Sequence, residues 1–216
     1  MSTASPKALI VDFGGVLTTS VLHSFQLFCQ QSGVSPEALK RALIAEMDEQ
    51  GVPDAGHPLW ALETGRLSGE EFNRYLSEVL SAGLDAPLDP EGLKDRMFAE
   101  VRADARMFHA VKRVRDLGFK TALLSNSWGP DGYPRDVFGE MFDQVIISGE
   151  VGLRKPEAEI YLLAAERLAL PPEACVFVDD LRTNVRGAEA VGMVGLHHID
   201  TDATLRSLEG SFGPLG

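Results

Sequence analysis

Five short apolar runs in this 216-residue chain lead to side chains that can do chemistry. "KALIVD" ends on Asp12, and "TALLS" ends on Ser125 with Asn126 next. "QVIIS" leads through "GEVGLRKP" to Lys155, "CVFVDD" ends on Asp179 and Asp180, and "MVGLHHI" carries His197 and His198. Carboxylates gathered on one rim repel each other unless a cation sits among them. An all-oxygen set suits a hard ion, Mg2+ above all. With a lysine beside it, such a rim can hold a phosphoryl group, whose displacement needs in-line positioning and neutralised charge. A carboxylate can itself attack and form an aspartyl-phosphate. Asp12, at the end of a strand, is aimed by a rigid element. Gly14 and Gly15 behind it let the backbone turn tightly and approach a ligand, and Gly14 can offer its carbonyl to a cation.

These residues meet only if the runs are neighbouring strands. From about residue 105 onward, helical patterns such as "FHAVKRVRDLG", "EAEIYLLAAERLAL" and "RTNVRGAEAVG" alternate with the apolar runs. That alternation predicts a parallel sheet covered on both faces and joined by right-handed crossovers. In such a sheet ligands bind beyond the carboxyl ends of the strands. The stretch between the first and second runs reads differently. "VLHSFQLFCQQSG", "SPEALKRALIAEMDEQG", "SGEEFNRYLSEVLSAG" and "DPEGLKDRMFAEV" are helical, with Ser35-Pro36, Ser68 and Asp89-Pro90 as starts and Gly33 and Gly51 as stops. The expected fold is α/β: a doubly wound, Rossmann-like parallel sheet from residues 1–18 and 105–216, with a helical cap inserted over 19–104. The "SFGPLG" tail is expected to fray.

A net charge of −12 and a pI near 4.8 argue against nucleic-acid binding, which needs a basic face. No apolar run is long enough to span a bilayer, and the first residues lack the shape of a secretory leader. Cys29 and Cys175 belong to no CxxC pattern, so neither a disulfide framework nor a zinc site is expected. There is no GxGxxG or GxxxxGK[ST] segment to support a dinucleotide or ATP-driven chemistry. A cytoplasmic monomer or homodimer acting on a small molecule is the expectation. His197 and His198, adjacent on a strand, point to opposite faces and read as structural. His23, His57, Trp60 and Arg66 read as core or surface ahead of substrate contact. "SWGPDGYPRD", with Trp128, Tyr133 and Arg135, reads equally as cleft wall or packed loop.

Four ordered motifs, "DFGGVL", "LLSNS", "GLRKP" followed by "EIY", and "VFVDDLRTNVRGA", resemble the haloacid dehalogenase superfamily, which includes many phosphatases. The resemblance covers roughly residues 5–18 and 105–205, and the insert is similar to the helical cap of many members. It implies Asp12 as nucleophile, Ser125 as the hydroxyl that hydrogen-bonds the transferring group with Asn126 beside it as a catalytic-site residue, and Lys155 as the residue that orients and balances the nucleophile. It also implies Asp12, the Gly14 carbonyl, Asp179 and Asp180 around Mg2+, with Asp180 the stronger candidate for direct coordination. Asn184 falls either behind the metal acids or on a helix surface. One departure stands out. Phosphatases of the family usually carry a second Asp two residues after the nucleophile, and here that position is Gly14. The implied activity is a Mg2+-dependent hydrolysis of a small phosphorylated metabolite. A 2-haloacid dehalogenase-type hydrolase, or a weakly active binding or regulatory protein of the same fold, remains the alternative.

Overall fold

The computed structural model of the chain describes residues 5–44, 56–129 and 132–215. Strand β1 (Ala8–Val11) has no exposed residue, as expected of an apolar, β-branched run covered on both faces. A helical insert follows: α1 (Val21–Ser32), α2 (Pro36–Leu43), α3 (Pro58–Glu63), α4 (Gly69–Ser81) and α5 (Leu93–Met97). The chain then alternates through α6 (Ala105–Asp116), β2 (Lys120–Ser125), α7 (Arg135–Met141), β3 (Gln144–Ile147), α8 (Ser148–Val151), α9 (Ala158–Arg167), β4 (Cys175–Asp179), α10 (Arg182–Ala190), β5 (Val194–His197) and α11 (Thr201–Phe212). The strands form one five-stranded sheet in the order β3-β2-β1-β4-β5, with every pair parallel. The chain winds outward from β1 through β2 to β3, then crosses to the far side of β1 for β4 and β5. The reversal therefore falls at β1 and β4, whose carboxyl ends carry Asp12 and Asp179.

Alternate residues of each strand face opposite sides. Leu9, Val11, Leu123 and Val178 pack with Met107, Val111 and Leu208 from α6 and α11. Ile10, Ala122, Leu124 and Phe177 pack on the other side with Ile160, Tyr161 and Ala188 from α9 and α10. The expected frayed tail is instead part of the core. Asp200 caps α11 by accepting from the Ala203 N–H at 2.8 Å, and Phe212 meets Phe119 edge to face at 5.0 Å. Leu215 is 3% exposed, because the sheet face beside α6 needs apolar cover as far as the chain's last turn.

The insert holds its own apolar cluster, built on Phe25, Phe28, Leu62, Phe72, Leu76 and Met97. Ser35 and Ser68 cap α2 and α4 as their sequences predict, and Ser68 forms a full capping box with Glu71. Two expectations change. Asp89 makes a local turn, its Oδ1 accepting from Glu91 N–H at 2.9 Å, and α5 starts only after Gly92. Helix α2 ends at Leu43, and the expected continuation to Gly51 lies outside the described residues. Helix α3, not anticipated from the pattern, starts from His57, whose Nδ1 accepts from Leu59 N–H at 3.2 Å, with Pro58 at its first position. The two linkers between insert and sheet run side by side. Thr19 N–H donates to Arg102 O and Asp104 N–H to Leu17 O, each at 2.8 Å, around an antiparallel bridge from Thr18 to Ala103. Phe212→Ala is expected to destabilise the chain by about 3–5 kcal/mol in denaturant titrations, since it empties a buried aromatic site; a loss under about 1 kcal/mol would show that the tail carries no core.

Candidate active site

The sheet brings the strand-end residues to one rim. Lys155, 1% exposed, sets its ammonium 2.7 Å from Asp12 Oδ1 and 2.6 Å from Asp179 Oδ2. The Asn126 side chain holds the lysine's backbone. Its Oδ1 accepts from Lys155 N–H at 2.9 Å and its Nδ2 donates to Lys155 O at 3.0 Å. Asp179 is held on both oxygens: besides Lys155, it accepts from Leu181 N–H at 2.8 Å and from Asn184 Nδ2 at 3.1 Å to each oxygen. Asn184 is thus buried behind Asp179, not on a helix surface. The Asp180 carboxylate takes no hydrogen bond from another side chain among the described residues. It lies over Gly15, where a Cβ would fall 2.3 Å from Asp180 Oδ2; with φ at +76°, only glycine fits there. Asp12, Asp179 and Asp180 each offer an oxygen, and these lie within 4.8 Å of one another. That all-oxygen donor set fits Mg2+.

Ser125 stands on the same rim, its Oγ 3.0 Å from the Tyr133 hydroxyl, and Tyr133 packs on Phe13 at 5.0 Å between ring centroids. The loop after β2 is therefore both wall and packing. Tyr133 faces the site, while Trp128 enters the insert's aromatic cluster against Phe25, Phe72 and Phe98. Gly14 also lines the cleft, and a Cβ there would lie 3.2 Å from Val21 Cγ2, so the insert's first helix already crowds that position. The histidines have separate partners. His197 Nε2 lies 2.9 Å from Asp180 O, and His198 Nδ1 lies 2.9 Å from Thr204 Oγ1. His23 is exposed, and His57 caps α3. Two cleft residues had no assigned role from the sequence: Glu63, at the end of α3, and Arg154, beside Lys155, paired at 2.6 Å. Arg154 stood inside the quoted "GLRKP", but nothing local announces its partner 91 positions away.

A family model described as haloacid dehalogenase-like hydrolase matches residues 6–192. The chain belongs to the haloacid dehalogenase-like hydrolases. Bifunctional epoxide hydrolase 2 of Rattus norvegicus is 31% identical over 147 residues, covering 65% of this chain and 26% of its own length. This hydrolase chain therefore spans about a quarter of that relative. Glyceraldehyde 3-phosphate phosphatase of Methanopyrus kandleri is 30% identical over 158 residues, 62% of this chain and 67% of that protein. A haloacid dehalogenase-family enzyme from Bacteroides thetaiotaomicron, solved with magnesium and inorganic phosphate, superposes with a TM-score of 0.63 at 17% identity, covering 93% of this chain and 100% of its own. Among the described residues of this family member, no helix is long and apolar enough to cross a membrane.

The site's electrostatics follow from burial. Burial pushes the Asp12 carboxyl up to about 7; Lys155 opposes the shift, while Asp179 and Asp180 add to it. Burial, and then Asp179, push Asp180 up to about 6. For Lys155 burial works the other way, but Asp12 and Asp179 outweigh it and hold the amine charged, well above the usual lysine range. Burial lifts the Tyr133 phenol to about 12, so it stays protonated. In this hydrolase a carboxyl that binds its proton more tightly folded than unfolded contributes stability at low pH and loses it as pH rises through the folded pKa. Without divalent cation, the native chain should therefore lose stability relative to Asp12→Asn as pH rises from the ordinary carboxyl value of 3.8 to the Asp12 value of about 7, the difference levelling off above it. Melting temperatures in chelator across that range check it, and a difference that is flat or shrinks with pH contradicts it.

Proposed function

We propose that the chain is a Mg2+-dependent phosphatase of small phosphorylated metabolites, working through an aspartyl-phosphate on Asp12. The observation that carries this reading is the contact of Asp12 Oδ1 with a fully buried Lys155 ammonium, at 2.7 Å, on a rim shared with Asp180 and Ser125. A metabolite phosphatase relative and a structural neighbour holding magnesium and phosphate support it.

Asp12 attacks phosphorus in line, forming the Oδ–P bond as the P–O bond to the leaving group breaks. Lys155 holds the attacking carboxylate and offsets negative charge on the phosphoryl oxygens. The Ser125 hydroxyl, positioned by Tyr133, donates to one of those oxygens. Asn126 acts through the Lys155 backbone, and Asp179, backed by Asn184, fixes the lysine from behind while completing the acidic set. Asp12, Asp180 and the Gly14 carbonyl would hold Mg2+, which would supply Lewis-acid neutralisation of phosphoryl charge. Water then cleaves the acyl-phosphate and frees Asp12. Docking of the insert over the rim keeps bulk solvent from the reaction.

Gly14 can neither protonate the leaving oxygen nor activate water, a form of help worth about 10²–10⁴-fold elsewhere. Preferred substrates are therefore esters whose leaving groups depart unassisted, such as anomeric or aryl phosphates. Turnover of p-nitrophenyl phosphate should appear with Mg2+, vanish in EDTA and drop by roughly 10³-fold or more in Asp12→Asn. Equal turnover in that variant would remove the nucleophile, and metal-independent halide release from 2-haloacids would move the assignment to dehalogenation. Simple alkyl phosphates should react about 10²-fold or more slowly than aryl phosphates. Gly14→Asp should narrow that gap, and more so when combined with Val21→Ala, which relieves the crowding at position 14. A gap that neither variant changes argues against the missing acid as its cause.

A further inference from the structure

Glu63 is a carboxylate that the chemistry proposed above does not use, and it is buried at the meeting of insert and sheet. Its Oε2 accepts from Arg154 Nε at 2.6 Å, with both side chains largely shielded from water at 7% and 11% exposure. The Arg154 guanidinium carbon lies over the ring of Trp60, one turn earlier in α3, 4.3 Å from its centroid. The Glu63 carbonyl accepts from Ser148 Oγ, which in turn accepts from Ser127 N–H at 2.7 Å. Two residues on, Gly65 at φ +73° approaches Gly149 so closely that a Cβ would fall 2.5 Å from its carbonyl oxygen. The end of α3 is thus seated on the 148–155 segment by an ion pair, a cation over an aromatic ring, a hydroxyl relay and a backbone approach that only glycine allows.

That segment ends in the lysine on which the rim is built. Arg154 is its neighbour in the chain, and the Asn126 side chain pins the lysine's peptide from the other side. Burial pushes the Glu63 carboxyl up and Arg154 pulls it back, with Lys155 and Asn126 also favouring its charged form, which places all of them in one electrostatic neighbourhood. A buried carboxylate so tied to a guanidinium is a geometric constraint more than a source of stability, since desolvation offsets much of the attraction. We propose that Glu63 is a positioning residue for phosphoryl transfer: by gripping Arg154 it couples the seating of the insert to the placement of the Lys155 ammonium against Asp12. The inference rests on the phosphatase reading of the rim.

The test compares the full chain with its Glu63→Gln and Glu63→Asp variants, using p-nitrophenyl phosphate with Mg2+ and hydrogen exchange of the folded proteins. Glu63→Gln should lower kcat by about tenfold or more with KM within about threefold, because a misplacement near 1 Å can cost about 10²-fold at a reacting centre. Exchange should quicken in the peptide spanning residues 150–157, where Asn126 protects the Lys155 amide, and stay unchanged in β1. Glu63→Asp, which keeps the charge, should recover part of kcat; if the Gln variant does not fold, the Asp variant is read by the same kcat and exchange criteria. A kcat within twofold of the native value overturns the inference. A loss of kcat with exchange raised equally in β1, or not raised near Lys155, overturns it too, since the residue would then be only structural. No turnover by the unmodified chain overturns the phosphatase reading and this inference together, whereas native turnover that Glu63→Gln leaves intact overturns this inference alone.

Discussion

The rim depends on one ammonium group taken out of water. Lys155 is 1% exposed and faces Asp12 and Asp179 at hydrogen-bond distance. An unpaired charge at that depth is strongly destabilising, so both carboxylates have to arrive at the same height. Parallel pairing of β1 with β4 supplies that height, because Val11 stands level with Val178 and the next residue on each strand is an acid. The lysine comes from a third element, the segment after α8, and the Asn126 amide from a fourth, beyond β2. The sheet order matters for this reason: any other neighbour for β1 would leave the ammonium with one partner.

The same depth raises the proton affinity of the acids around it. Asp12 and Asp180 sit well above ordinary carboxyls, and Asp180 approaches a backbone stripped of side chain at Gly15. Such a group of acids is poised for a cation, which would relieve the repulsion that burial intensifies. Glycine here serves two different ends. At position 15 it is demanded by backbone angle and by the carboxylate above it. At position 14 it leaves room beside the rim that Val21 of the insert crowds.

Much of this was legible in the chain. Each strand of the sheet is an apolar run, and the strand-end rule places Asp12, Ser125, Lys155, Asp179 and Asp180 on one edge. Serine caps marked two helices of the insert correctly. What stayed hidden depends on contacts distant in sequence. Helix α3 is short and its apolar face is completed by other helices, so its period is too brief to read. The tail looked unstructured because Phe212 and Leu215 acquire meaning only from the sheet face they cover. Glu63 and Arg154 carry no local signal of each other, and only the docking of α3 makes them a buried pair. Asp89-Pro90 resembled a helix start but closes a turn, since the local hydrogen bond from Glu91 to Asp89 competes with a cap.

The paired linkers at Leu17–Thr19 and Arg102–Asp104 have a broader implication. Because the chain leaves and re-enters the sheet at adjacent points, the described residues between them share one stalk, with a second attachment where α3 meets Ser148 and Arg154. An exchange of that appendage for one of different length or shape has to satisfy the spacing of two neighbouring backbones and supply a new seat for Arg154. Strand order, and the acids that strand order aligns, would be untouched, so such an exchange revises the cover over the rim and its grip beside the lysine while leaving the alignment of the acids as it was.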